Sequence, residues 1–334
     1  MRSNRQRFET LWGPHARAAA DEIAQYAFQS EAWVEAVSAA RGRRHRFVVV
    51  RVVDGDYAGA CLFGGVHRRC GIEVFESMPM GGYGGWCHPR SLDEGEEASL
   101  SRAWLARSRW WLVGLTVAPG RESSSPSPFA PAWLPPGWRD RLIGRPLSTH
   151  ILSLAGDNTA LLMRTRPKTR NHLRRVDRSG YGFDVNGPSA EADFCRLFRV
   201  GSAEWKQAAH ELMPDEFFRR LYAGGLADIW QVKKDGRCIA AAMFLKGRTE
   251  VFYQASGTIR ERNEVSAIDA LLWTAIRHYR DGGYRTLNLG ASEGLDSVRF
   301  FKEKFGAVAT PYRHVTFVLP KLLVSTAGGT ASCR

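Results

Sequence analysis

Lysine does not occur in the first 157 residues of this 334-residue chain, although 19 arginines do. No run of about 18 apolar residues occurs, so no segment is expected to cross a membrane. The opening residues, MRSNRQRFETLWG, lack the apolar core of a signal peptide, and the expected location is cytoplasmic with no integral membrane contact. The six cysteines (Cys61, Cys70, Cys87, Cys195, Cys238, Cys333) form no C-x-x-C pair. That spacing argues against a cysteine zinc site and against a disulfide scaffold, so no metal is expected and the thiols read as reduced.

What the chain does have is ordinary globular composition, with 44% hydrophobic and 24% charged residues. Its length suits about two domains. The net charge of +13 is unevenly spread. Residues 1–157 hold 19 basic and 16 acidic side chains, for +3, whereas residues 158–334 hold 28 and 18, for +10. An excess confined to the second half points to a polyanionic partner for that half.

The central stretch is Leu287 to Gly306, LNLGASEGLDSVRFFKEKFG. It reads as a short strand, a Gly-Ala-Ser-Glu-Gly turn and a helix carrying Phe300, Phe301 and Lys302. Such a turn presents free backbone N–H groups to an anion. An ordinary strand–helix unit of an α/β core is the competing reading. A second glycine-rich stretch, Met80 to Trp86, surrounds Tyr83 with four glycines and could approach a ligand closely or pack as a turn.

In chain order, Glu9 to Tyr26 has helical spacing, and Ser30 is placed to cap a helix over Trp33 and Val37. Phe47–Val53 and Tyr57–Val66 read as a hairpin around Asp54-Gly55-Asp56, Glu73–Pro79 and Trp111–Val117 as strands, and Ala98–Arg109 as a helix. Arg121 to Pro136 is a Ser/Pro-rich loop. Strand pattern returns at His150–Leu154, Asp157 caps a helix through Met163, and the boundary between domains 1–156 and 157–334 is drawn there.

Arg164 to Arg178, RTRPKTRNHLRRVDR, carries seven basic residues against one Asp. Read as one helix from Pro167, it places Arg170, Arg174 and Arg178 at i, i+4 and i+8 on one face. Like charges at that spacing repel unless an anion neutralises them, so Lys168, Arg170, Arg174, Arg175 and Arg178 are candidate phosphate contacts. Beyond them lie helices at Ala190–Arg199 and Pro214–Tyr222, strands at Ala227–Lys233, Arg237–Leu245 and Thr249–Ala255, and a long helix, Ala267–Arg280. The apolar face of that helix is Ile268, Leu271, Leu272, Ala275, Ile276 and Tyr279. A last strand spans Arg313–Leu319.

The order of these elements, with the segments RPKTRNHLRRVDRSGY, RCIAAAMFL, VFYQASG, DALLWTAIR, LNLGAS and FFKEKFG, resembles the FemABX-like branch of the GNAT acyltransferase superfamily over residues 145–320. The resemblance implies an α/β chain of two tandem GNAT-like domains, the first degenerate. It implies amide-bond formation in which an amino acid moves from aminoacyl-tRNA to an amine of a peptidoglycan precursor or a peptide natural-product intermediate. Aminoacyl-tRNA is then a co-substrate, no cofactor is required, and a monomer is expected.

The family's Phe-Lys pair falls on Phe301 and Lys302, implying that Lys302 stabilises developing oxyanion charge while Phe301 shapes the pocket. Tyr83 and Tyr253 are expected as cleft tyrosines, and Asn288 and Ser292 as donor contacts or turn-stabilising groups. Glu264, Asp269 and Glu293 are weak candidates for a general base. Coenzyme A users of this fold carry a glycine-rich pyrophosphate turn before the long helix, where this chain reads Arg260-Glu261-Arg262-Asn263-Glu264-Val265-Ser266. Two carboxylates and no glycine disfavour a pyrophosphate there. An acyl-CoA-dependent N-acyltransferase is the alternative, and a non-catalytic RNA-binding protein a further one.

Overall fold

The computed structural model describes residues 6–80, 82–110, 112–117, 147–204, 213–259, 265–292 and 295–318. The chain divides into two compact units, residues 1–24, 28–147 and 311–334 in the first and residues 25–27 and 148–310 in the second. The break near residue 147 falls slightly before the boundary drawn at 156. The return at residue 311 was not foreseen, and it has a local cause: the last strand pairs from Arg313 to Val318 with a strand of the first unit.

In the first unit the strands β1 (Phe8–Trp12), β2 (Arg46–Val52), β3 (Cys61–Arg69), β4 (Ile72–Ser77), β6 (Leu112–Val117) and β13 (Val308–Val318) follow one another in that order across the sheet. All neighbours are antiparallel except β4 and β6. The short β5 (Trp86–Cys87) pairs with β3. Helices α1 (Gly13–Ile23), α2 (Glu31–Arg41) and α3 (Glu94–Leu105) complete the unit's described elements.

The helix expected from Glu9 begins later. Phe8–Trp12 pairs with Val48–Val52, and Pro14 in the first turn starts α1 only behind it. Pairing with a valine-rich strand outweighs the helical spacing. The expected Ser30 cap is present, with Oγ accepting from the Trp33 amide at 3.3 Å. Helix α3 starts four residues earlier than its apolar pattern suggests because Asp93 and Glu96 form a reciprocal capping box. The core of this unit is aromatic, with Phe75 packed against Trp104 and Trp110, and Trp86 against Trp104.

The second unit has the sheet order β7 (Leu147–Ser153), β12 (Thr286–Asn288), β11 (Glu250–Thr258), β10 (Arg237–Lys246), β9 (Ala227–Lys234), β8 (Gly182–Val185). Only β11 and β12 run parallel. Helices α4 (Asn158–Arg164), α5 (Pro167–Leu173), α6 (Ala190–Glu204), α7 (Asp215–Ala223), α8 (Ala267–Asp281) and α9 (Asp296–Glu303) belong to this unit.

Asp157 caps α4 as expected, accepting from the Ala160 amide. Leu271, Leu272, Ala275, Ile276 and Tyr279 of α8 are buried with Phe244, Val251 and Leu287 of the sheet, while Ile268 is only partly covered. Helix α6 packs so closely on β11 that a Cβ at Gly257 would stand 2.1 Å from the Leu197 carbonyl carbon. Only glycine fits that contact.

Candidate active site

The parallel pair β11–β12 holds for three residues, Glu250 to Thr286, Val251 to Leu287 and Phe252 to Asn288. Strand β11 then continues to Thr258, while β12 leaves it and enters the Leu289–Ser292 turn. The two strands part at Tyr253. On its other side β11 carries a bulge, since Tyr253 pairs with Phe244 and Ala255 with Met243, leaving Gln254 over. A fork between parallel strands at their C-terminal ends is the usual place for a ligand in an open α/β sheet.

Polar side chains hold the turn. Asn288 Oδ1 accepts from the Gly290 amide at 2.9 Å and from Thr149 Oγ1 at 2.5 Å. Gly290 has φ +75°, a conformation natural to glycine. Lys302 is only 4% exposed. Its Nζ donates to Gly290 O at 2.9 Å and to the Ala291 carbonyl. Helix α9 presents Lys302 inward from its last turn, so the charge is fixed against the turn by hydrogen bonds that a flexible surface lysine would not keep. Lys302 is therefore a buried anchor of the turn.

Tyr253 is buried, and its hydroxyl bonds Ser256 Oγ within its own strand. Burial pushes the phenol's pKa up, so it stays protonated. The Phe301 ring lies 6.5 Å from that of Tyr253 and 5.7 Å from that of Phe305. Asn288 serves the turn through the bonds above. Ser292 Oγ lies 3.3 Å from His150 Nδ1. These five residues, Tyr253, Asn288, Ser292, Phe301 and Lys302, come together in the second unit. Tyr83 belongs to the first unit, where it is 1% exposed and packs edge-on against Phe28 and Tyr312. It is a core tyrosine of that unit.

Asp269 does not stand as a base. Both its oxygens accept from Lys304 Nζ at 2.7 Å, and both partners are nearly buried. Glu264, Glu293 and the stretch from 260 to 264 lie outside the described residues.

Sequence reasoning missed His150 and Gln254. The imidazole Nε2 of His150 and the amide Oε1 of Gln254 are buried without a hydrogen-bond partner, which is uncommon for buried polar atoms. Burial and then the charge of Lys302 lower the His150 pKa, keeping the ring neutral near pH 7. Nothing near His150 in the chain announces this. Its partner Ser292 is 142 residues away and meets it only because β12 pairs with β7.

The basic segment is not one helix. Helix α5 ends at Leu173, and a separate 3₁₀ turn spans Val176–Arg178. The stripe of Arg170, Arg174 and Arg178 on one helical face is therefore broken. Arg170 turns inward and donates to the carbonyls of Met163 and Thr165 at 3.3 and 3.1 Å. Lys168, Arg174, Arg175 and Arg178 are exposed. Among the described residues no carboxylate forms an ion pair with Lys168, Arg174 or Arg178. A patch of exposed positive charge survives the loss of the helix.

Residues 163–302 match the family model described as an acetyltransferase (GNAT) domain. No curated protein matches the chain in sequence. Among solved structures, FemX superposes with a TM-score of 0.67 at 10% identity, covering 95% of this chain and 99% of that one. The C-terminal domain of a putative lysylphosphatidylglycerol synthetase from Agrobacterium fabrum gives 0.52 at 14%, covering 95% and 99%. L-PGS from Bacillus licheniformis gives 0.51 at 16%, covering 94% of each. At such identities the likeness is one of fold. The chain thus matches a GNAT acetyltransferase domain over residues 163–302, and over most of its length it has the α/β fold seen in FemX.

Proposed function

We propose that this protein is an aminoacyltransferase that takes an amino acid from aminoacyl-tRNA and forms an amide bond with an amine of a peptide natural-product intermediate or a peptidoglycan precursor. The observation that carries the reading is Lys302, an ammonium fixed by the Gly290 and Ala291 carbonyls at the strand fork. In the reaction the neutral amine attacks the ester carbonyl, the new C–N bond forms and the C–O bond to the tRNA ribose breaks. The amine proton leaves to the ribose oxygen, directly or through water, so the activated ester needs no strong protein base. Negative charge that develops on the carbonyl oxygen is stabilised by a fixed cation behind the turn. Phe301 limits the room beside it, and Tyr253, Asn288 and Ser292 hold the walls of the fork.

The exposed Lys168, Arg174, Arg175 and Arg178 suit the phosphates of a tRNA acceptor stem, with Arg170 bracing the segment from within. Phosphate contacts of this kind position a nucleic acid without reading its sequence. The protein works in the cytoplasm as a monomer, without a cofactor for the transfer step. One protein that shares the fold, the C-terminal domain of a putative lysylphosphatidylglycerol synthetase, is named for a lysyl group, which supports an aminoacyl rather than an acetyl donor.

A second reading has its own observation: the matching family model is described as an acetyltransferase, which favours an acyl-CoA donor. The two separate in one experiment. Purified protein is given charged tRNA or acyl-CoA over a panel of amine acceptors, and amide product is measured. Product from charged tRNA alone supports the proposal. Product from acyl-CoA alone replaces it with the second reading.

A further inference from the structure

In the first unit, three side chains gather that the transfer reaction does not use. His45 precedes β2, His67 lies on β3 and Glu76 on β4. The register places Arg46 opposite Val66, so His45 stands directly across from His67. Gly65 stands opposite Glu76. His67 and Gly65 share a face of β3, so Glu76 is the diagonal neighbour of His67. The two imidazole rings are 4.6 Å apart. One possible ligand atom from each of the three residues lies within 4.8 Å of the others.

Two ring nitrogens of these residues are chemically unspent. His45 and His67 are 5% and 4% exposed, and His45 Nε2 and His67 Nδ1 are buried with no hydrogen-bond partner. His45 Nδ1 lies 3.0 Å from the Arg43 carbonyl oxygen, to which it can only donate. That bond fixes the tautomer and leaves the Nε2 lone pair free to bind, the arrangement commonly found behind a metal-bound histidine. Glu76 Oε2 accepts from Arg41 at 2.9 Å, which orients the carboxylate and leaves Oε1 for a third ligand bond.

We propose that His45, His67 and Glu76 form a site for one divalent ion of the zinc type, which ties β2, β3 and β4 together. Two imidazoles and a carboxylate suit zinc, leaving a fourth position for water. Ligand bonds of about 2.1 Å to a tetrahedral ion put the ligand atoms about 3.4 Å apart, so separations of up to 4.8 Å must close by as much as about 1.4 Å on binding. Small side-chain rotations supply that. Arg41, Arg43 and Arg69 add positive charge around the site. They weigh against a hydrated magnesium or calcium ion held by charge alone, and favour an ion held by imidazole bonds.

Cysteine spacing, the sequence signal for a metal, is silent about this site. These ligands escape it because two of them are brought into register only by the hairpin, 22 residues apart, and the third comes from the next strand.

The test uses the full chain without a histidine tag. After equilibrium dialysis against low-micromolar zinc chloride, the metal retained per chain is measured, together with the melting temperature and the visible spectrum of the cobalt-loaded protein. The proposal expects about one zinc per chain, a zinc-dependent rise in melting temperature by mass action, and cobalt bands typical of nitrogen and oxygen ligation. In His67→Gln and in Glu76→Gln, zinc retention should fall at least tenfold, and in His88→Gln it should not change. Absence of zinc and cobalt binding by the wild type overturns the proposal even if the variants fail to fold. Retention equal to wild type in a folded His67→Gln protein overturns it as well.

Discussion

Two glycine-rich loops invite the same reading from sequence, and the structure gives them opposite characters. Beside Tyr83, Gly82 and Gly84 serve packing. A Cβ at Gly84 would meet Ser77 Oγ at 1.9 Å, one at Gly82 would meet Phe28 at 3.0 Å, and Tyr83 is sealed by aromatic neighbours. Around Gly290 a Cβ would find its nearest neighbour at 3.5 Å, and the loop is held by Asn288 and Lys302 through hydrogen bonds. Glycine content is therefore silent about function. What separates the loops is the charge and unpartnered polar atoms near one of them and a closed aromatic shell around the other.

The largest effect that would break this comparison is on turnover. Lys302→Ala is expected to lower kcat by about 100-fold, the usual consequence of removing one group that stabilises transition-state charge. Single-turnover product formation measures it, and unchanged turnover removes Lys302 from the chemistry.

Next in size is the packed loop. Gly84→Ala is expected to destabilise by about 1–3 kcal/mol through overpacking, read from urea unfolding, with turnover per folded molecule unchanged. Gly290→Ala has room for its methyl group but a left-handed backbone, and costs about 1 kcal/mol. If Gly84→Ala instead spares stability and lowers turnover, the packed loop belongs to the site.

The exposed basic segment sharpens the comparison by a smaller step. Arg174→Glu should weaken binding to different tRNAs about equally and reduce the salt dependence by roughly one phosphate contact. An effect confined to one tRNA would assign Arg174 to sequence reading.

The smallest expected effect is the pH response of His150. Its folded-state value is lowered, so the stability it contributes is present above the ordinary imidazole value of about 6.5 and is lost as pH falls below it. Wild-type stability should drop more than that of His150→Gln between neutral and acidic pH. Parallel profiles would show that the neutral ring contributes nothing.

Much of the fold was legible because its signals are local and periodic. The apolar face of α8, the Ser30 and Asp157 caps and the valine run of β2 declare themselves within a few residues. The failures have two causes, long-range strand pairing and local side-chain bonding to the backbone. Phe8–Trp12 became a strand because β2 offered it a partner 40 residues later. The basic segment kept helical spacing on paper, yet the chain leaves α5 at Leu173, and Arg170 finds backbone carbonyls to bind.

At the site, Lys302 and the turn it holds were visible in the motif, because strand, turn and helix are contiguous. His150 was not, because its meaning depends on Ser292, 142 residues away. Asp269 looked available in sequence, and only the folded chain brings Lys304 onto both its oxygens.

The donor is the central claim, and RNA digestion tests it most directly. Purified protein is supplied with the free amino acid, ATP, its synthetase, tRNA and an accepted amine, and product is followed before and after complete ribonuclease treatment. Product formation should stop when the RNA is gone. Undiminished formation after full digestion would contradict a tRNA-borne donor and leave the exposed arginines without the partner assigned to them.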